Sequence, residues 1–239
     1  VVEVVASGLI VVKHRAEPFG KFVNVAVLEG DQIKIVDEGV GRVVPDCPAM
    51  VTSLAGAIDN TSASGVTAVL IQLAASMRAH GRGGALLVVP NGTEGWRESI
   101  VAPVLYAIDP PYDELAQLAR LKNADPDDLK RAVDAIAGLT AVDGATIIDD
   151  RYNLRAFGAK LARRRGSTPV EFVNVTEPVE GSAPVRATPA QLGGTRHLSA
   201  AQFVHDQKDT MALVASQDGR FTIFKWSPRE QLVHAHRVD

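Results

Sequence analysis

The stretch Leu139-Thr140-Ala141-Val142-Asp143-Gly144-Ala145-Thr146-Ile147-Ile148-Asp149 limits the fold of this chain more than any other. Its apolar, β-branched run reads as a buried strand, and the strand's entry carries one carboxylate beside two residues small enough for a ligand to touch backbone. A second run, Ala85-Leu86-Leu87-Val88-Val89 before Pro90, is continuously apolar at the length of a central strand covered on both faces. Two such strands need helices to cover them, and the helical periods lie between and before them.

The first helical period spans 66–80, where Val69, Leu70, Leu73, Ala74 and Met77 recur at three- and four-residue steps until Gly81. Two more helices are expected over 112–139. Leu115, Leu118, Ala119 and Leu121 form the stripe of one, and Asp125-Pro126-Asp127-Asp128 opens the other with a cap, a proline at the first position and acids at the positive end. A short helix is expected over 96–106, and Pro110-Pro111 reads as a loop. Strands are expected at 145–149, 154–161 and 170–175, with the proline-bearing segment to Pro189 otherwise irregular. Residues 210–216 and 221–226 pair as a hairpin across Gln217-Asp218-Gly219-Arg220. The opening is strand-rich, with a glycine-turn hairpin over 22–36.

These readings specify a mixed α/β protein whose central mixed sheet is flanked by helices. The expected divisions are a strand-rich N-terminal region over 1–60, a main domain over 61–228 and a C-terminal tail over 229–239. At 239 residues and 46% hydrophobic content the chain can bury a full core, and its formal charge of −3 gives no nucleic-acid or anionic-membrane surface. Arg163-Arg164-Arg165 reads as a solvated helix end. Cys47 is the only cysteine, which excludes an intrachain disulfide and fits a cytoplasmic location. No apolar run reaches membrane-spanning length, and Glu3, Lys13, His14 and Arg15 do not form a signal peptide.

Chemistry concentrates in two places. Asp143 leads into the buried strand, and Gly193-Gly194-Thr195-Arg196-His197 is a glycine turn entering a helical run at Ser199-Ala200-Ala201-Gln202-Phe203. Amides at a helix start together with a guanidinium form an anion site. Taken singly, each residue has a plainer reading: Asp143 as a turn carboxylate, Arg196 as a surface cation, His197 bonded to backbone. Asp149-Asp150 reads as a strand-end turn, and His234-Ala235-His236, which puts two imidazoles on one face, lacks a carboxylate partner for a metal.

Four segments in order change that weighting. Gly83-Gly84-Ala85-Leu86-Leu87-Val88-Val89, Val142-Asp143-Gly144-Ala145-Thr146-Ile147-Ile148, Gly194-Thr195-Arg196-His197 with Ala200-Ala201, and Val214-Ala215-Ser216-Gln217-Asp218-Gly219 resemble the signature of diadenylate cyclase domains over about residues 60–228. The resemblance implies a nucleotidyltransferase of bacterial second-messenger signalling. Such an enzyme condenses two ATP molecules to cyclic di-AMP, releases pyrophosphate, uses Mg2+ or Mn2+, and forms its active site by self-association of two facing domains.

By that resemblance Asp143 holds metal and helps to activate the 3′-oxygen, and Gly144 and Ala145 let the nucleotide approach backbone. Thr195, Arg196 and His197 contact phosphate over Gly194, Ser216 adds a nucleotide contact, and 157–161 lie near the adenine pocket. The chain departs from the family at Leu198, where an arginine is usual, and at Gln217, where some relatives are acidic. These departures define the alternative, a catalytically weak or inactive nucleotide-binding sensor whose N-terminal strands relay occupancy to a partner.

Overall fold

The computed structural model describes residues 2–6, 9–16, 21–30, 32–35, 66–104, 106–121, 123–177, 183–217 and 219–238. Four strands form an N-terminal antiparallel sheet in sequence order: β1 (Val2–Ala6), β2 (Leu9–Ala16), β3 (Lys21–Glu29) and β4 (Gln32–Ile35). The expected hairpin is present, with Gly30 in its turn. Val2, Val12, Ala26 and Ile35 stand opposite one another across this sheet, as do Val4, Ile10, Leu28 and Ile33, so these two rows give one face eight apolar side chains. Of the segment assigned to the N-terminal region, 36–60 lies outside the described residues.

The second sheet has nine strands and makes the protein mixed α/β, as its sequence implies. Its strands are β5 (Gly84–Val89), β6 (Tyr106–Tyr112), β7 (Ala145–Asp149), β8 (Leu154–Ala159), β9 (Val173–Thr176), β10 (Val185–Ala187), β11 (Met211–Ala215), β12 (Phe221–Ser227) and β13 (Leu232–Val238). They lie in the order β10-β9-β13-β12-β11-β5-β7-β8-β6. β5 and β7 are parallel neighbours, and each has an antiparallel strand on its other side, β11 and β8 respectively.

Alternation along the central strands divides the core into two layers. Leu86 and Val88 of β5, Ile148 of β7 and Leu213 of β11 face a cluster completed by three helices: α1 (Val66–Ala79), α2 (Glu114–Arg120) and α3 (Pro126–Leu139). Ala85, Leu87, Val89, Ala145, Ile147, Ala212 and Val214 face the other cluster. There Ala200, Ala201, Phe203 and Val204 of α5 (Thr195–Asp206) pack beside Trp96, after the four-residue α4 (Pro189–Leu192). Fully burying each leucine or phenylalanine in these layers contributes about 1.5–3 kcal/mol before the entropy of ordering is subtracted. The α3 start is built as its sequence specifies: the Asp125 carboxylate accepts the Asp127 N–H at 2.8 Å, and Pro126 takes the first helical position.

Several expectations are corrected. The segment holding Pro110-Pro111 is strand β6 rather than a loop, because β6 is the sheet's outermost strand and its ladder to β8 breaks between Ala107 and Tyr112, where a missing N–H costs nothing. The helix expected over 96–106 is a single 3-10 turn, Gly95–Ser99. The strand expected over 170–175 is only Val173–Thr176, while the segment to Pro189 read as irregular contains β10 and leads into the capped turn α4. Arg163–Arg165 follows β8 and is not at a helix end, and Arg164 pairs with Glu98 at 2.6 Å.

Residues 229–239, expected as a tail, supply β13, which lies inside the sheet between β12 and β9. Two histidines hid its period: His234 and His236 are polar in sequence yet buried in place, the first 2.8 Å from Glu230 and the second sharing a 2.5 Å hydrogen bond with Thr176. Arg237 is likewise paired with Glu177 at 2.6 Å. Deleting residues 229–239 is therefore expected to abolish cooperative thermal unfolding measured by circular dichroism, whereas a true tail would be removed without effect.

Candidate functional site

Three peptide segments end together at one rim of the large sheet. β7 begins just after Asp143-Gly144, β8 ends at Ala159, and β11 ends at Ala215, opposite Gly84 of β5. Cross-strand register aligns Val214, Ala85, Ala145 and Ala159 in one row on the face that α5 covers. Three alanines in that row leave space that larger side chains would fill. The result is a cleft of about 810 Å³ between the sheet rim and the start of α5.

All the residues singled out in sequence stand in its wall: Asp143, Gly144 and Ala145 from the β7 entry, Gly194, Thr195, Arg196 and His197 from the α5 entry, and Ser216 from the β11 exit. The helix begins at Thr195, earlier than the Ser199 run implied, so Thr195, Arg196 and His197 form its first turn. Gly194 is the N-cap and supplies no side-chain cap. The His197 and Leu198 N–H groups bond back to the Gly194 carbonyl, and those of Thr195 and Arg196, both cleft-wall residues, have no partner within the helix at the positive end of its dipole.

Asp143 and Arg196 are both exposed, and neither has an ion-pair partner among the described residues. The Arg196 guanidinium reaches the start of β5, with Nη1 3.1 Å from where a Cβ on Gly83 would stand. Ser216 is half-buried, its N–H donating to the Arg220 carbonyl at 2.8 Å. Gln217 also lines the cleft, and its Nε2 donates to the Arg82 carbonyl at 3.5 Å.

His197 occupies a different kind of place. Its ring is only 3% exposed, shares a 3.3 Å hydrogen bond with Thr222 on β12 through Nε2, and meets Phe224 edge-on at 6.1 Å. A Cβ on Gly193 would come within 2.4 Å of the ring's Nδ1, so the turn closes over the imidazole only because residue 193 is glycine. The structure thus makes His197 the anchor that holds the first turn of α5 against the sheet. Leu198, in contrast, is 44% exposed and is not part of the cleft wall.

Gly144 is needed by the fold as well as by any ligand. Its φ is +105°, and a Cβ there would lie 2.4 Å from the Gly158 carbonyl carbon, because the β7 entry crosses the end of β8 at backbone contact. Of 157–161, Ala159, Lys160 and Leu161 line the cleft, while Phe157 stacks on Tyr106 with ring centres 4.9 Å apart. Lys160 and Arg220 are wall residues that sequence reasoning did not single out. Each is a single basic residue at the end of a strand or turn, and its position beside the rim appears only once the strands are paired.

Asp143 is the sole carboxylate among the described wall residues. Among the described residues no group of three or more His, Cys, Asp and Glu forms a ready metal site. Mg2+ commonly takes one or two protein carboxylates and completes its shell with water and substrate phosphates, so Asp143 beside an anion-binding helix start fits a metal that arrives with its substrate.

The remaining motifs have structural roles. Asp149 is buried, accepting the Arg151 and Asn153 N–H groups at 3.0 Å and side-chain donors from Asn91 at 2.8 Å and Asn153 at 2.9 Å, which is the strand-end turn its sequence suggested. The His234 and His236 rings, 5.9 Å apart, are absorbed by Glu230 and Thr176. Burial, with His234 beside it, pulls the His236 imidazole down to about 4.

No protein-family model matches the chain, and no curated protein matches it. Among solved structures the chain is similar to a hypothetical membrane spanning protein from Bacillus cereus, at 14% sequence identity and a TM-score of 0.40, over 78% of this chain and 70% of that one. Among the described residues of the present chain no helix is long and apolar enough to cross a membrane.

Two outcomes follow from this geometry. Gly144→Ala is expected to destabilise the ligand-free protein by about 1–3 kcal/mol through backbone strain, read as a lowered Tm, whereas a glycine needed only for ligand access would leave Tm unchanged. Below pH 6.5 the unfolded chain protonates residue 236 while the folded chain does not, so stability is full above that pH and falls as pH drops towards 4. The loss attributable to this group is at most about 3 kcal/mol, and His236→Gln should flatten the fall in denaturant titrations run across the window.

Proposed function

We propose that the cleft is a nucleoside-triphosphate site and that the chain is a diadenylate cyclase, joining two ATP molecules into cyclic di-AMP with release of pyrophosphate. The observation that carries this reading is the convergence of the Asp143 turn and the uncapped, Arg196-bearing start of α5 on one alanine-floored cleft. That combination suits a substrate with a compact, highly charged end and a reacting hydroxyl that must lose its proton.

In this reaction the 3′-oxygen of one ATP bonds to the α-phosphorus of the other, and the bond from that phosphorus to the pyrophosphate oxygen breaks. The 3′-hydroxyl proton leaves as the bond forms. Done twice, the exchange closes the ring and frees two pyrophosphates. The chain's part is to hold each ATP in line and to balance charge that spreads over the phosphate oxygens. Arg196 supplies a forked cation, the first amides of α5 supply neutral donors that need no rearrangement, and the Thr195 hydroxyl adds a donor beside them.

Asp143 is placed to receive the hydroxyl proton directly or through water, or to hold a cation. Mg2+ or Mn2+, if bound with the nucleotide, would be held by Asp143 and would supply positive charge against the polyphosphate. His197 acts as a positioning residue, fixing the turn that presents Thr195 and Arg196. One cleft holds one ATP, so the reaction requires a second chain to present the other.

The second reading, a nucleotide-binding sensor with little turnover, is favoured by Gln217, which leaves Asp143 without a second carboxylate in the described wall. Incubation of purified protein with ATP and Mn2+, followed by chromatography, separates the two. Wild type is expected to form cyclic di-AMP at a rate per chain that rises with protein concentration. Asp143→Asn and Arg196→Ala are each expected to lower that rate by roughly a hundredfold or more while the Tm stays put. Nucleotide binding without product under every divalent metal would establish the sensor reading instead, and absence of binding would sink both.

A further inference from the structure

The cleft carries a cation that neither the Asp143 turn nor the α5 entry provides. Lys160 is the first residue after β8, and its backbone is fixed from outside the strand: its carbonyl accepts the Val101 N–H at 2.8 Å, and the next residue, Leu161, forms a bridge with Ile100. The lysine side chain is exposed and has no hydrogen-bond or ion-pair partner among the described residues. Here Lys160 and Arg196, neither with an ion-pair partner among the described residues, share the described wall with the single carboxylate of Asp143. A local excess of positive charge in a chain whose formal charge is −3 is the field of an anion site, and concave walls concentrate it.

We infer that Lys160, which the family resemblance would set near the adenine, is instead a phosphate-binding residue of this cleft and that, with Arg196 and the first amides of α5, it holds a nucleoside triphosphate without the help of a divalent ion. The inference rests on the nucleotide reading above. One carboxylate makes a weak protein site for Mg2+, which dehydrates reluctantly and depends on substrate oxygens for the rest of its shell. An ammonium group on a fixed backbone has no such dependence, and its three donors can follow phosphate oxygens as they shift. Charge neutralisation by side chains therefore suffices for binding, whatever a metal adds to turnover.

The test is equilibrium titration of the full chain with ATP and with AMP, followed by calorimetry, once in EDTA and once in Mg2+. Wild type is expected to bind ATP in both buffers. Lys160→Ala should weaken ATP about tenfold or more in both, as loss of one charge-assisted hydrogen bond does, weaken AMP far less, and leave Tm unchanged; Lys160→Arg should restore most of the ATP affinity. Wild-type affinity for ATP in Lys160→Ala would overturn the assignment of the lysine, and ATP binding that vanishes in EDTA would overturn independence from metal. If wild type binds no adenine nucleotide in either buffer, it is the nucleotide reading that fails, and the inference goes with it.

Discussion

Register is the constraint on which the rest depends. Because β5, β7 and β8 pair so that Ala85, Ala145 and Ala159 fall in one row, the sheet has a shallow rim on the face that α5 covers. Farther along the same face the side chains are large, with Leu87, Ile147 and Phe224 fully buried against Phe203 and its neighbours. α5 is thus packed against large side chains along its length, while at its first turn the His197 ring meets β12 and the alanine row beside it leaves the cleft. A slip of one residue in any of these pairings would turn the alanines to the opposite layer and put bulk where the cleft lies.

The close backbone contacts at the rim serve the same end. Gly144 passes against Gly158, and Gly193 passes against the His197 ring, so two turns from distant parts of the chain are locked by contacts that admit no side chain. Preorganisation of this kind matters because donors already aimed at a charged group cost little rearrangement when it binds or reacts. The buried His197 contributes by holding the turn, and the exposed Thr195 and Arg196 just before it in the same turn are what a ligand would meet.

Much of this was legible in the chain itself, for physical reasons that differ by element. β5 is buried on both faces and so is written as an uninterrupted apolar run, β7 as a β-branched run with a buried Thr146 and closed by Asp149, while α1 and α3 announce themselves by period and, for α3, by the Asp125-Pro126 cap. Asp143 and Thr195-Arg196 could be named because each sits at a glycine-marked entry to a regular element. β13 could not, since its two histidines are satisfied by Glu230 and Thr176, partners that no local pattern reveals. β6 was hidden by prolines that only an edge position tolerates. The start of α5 was misplaced because Gly194 caps the helix without a side-chain signal. Lys160 and Arg220 belong to the cleft through strand pairing alone, and a single basic residue carries no mark of that.

The interior place of β13 governs the order in which the sheet can be completed. β9 and β10 are hydrogen-bonded to the other six strands only through it, and it lies parallel to β9 but antiparallel to β12. As the chain leaves the ribosome, β9 and β10 emerge well before the strand that will join them to the rest. Until then the edge of β9 that β13 will cover has no neighbour in this sheet, and the ion pair between Glu177 and Arg237 cannot form. The last described strand to be synthesised is the one that makes two earlier ones part of the fold, so this half of the sheet forms by long-range pairing late in translation and not by growth outward from a local hairpin.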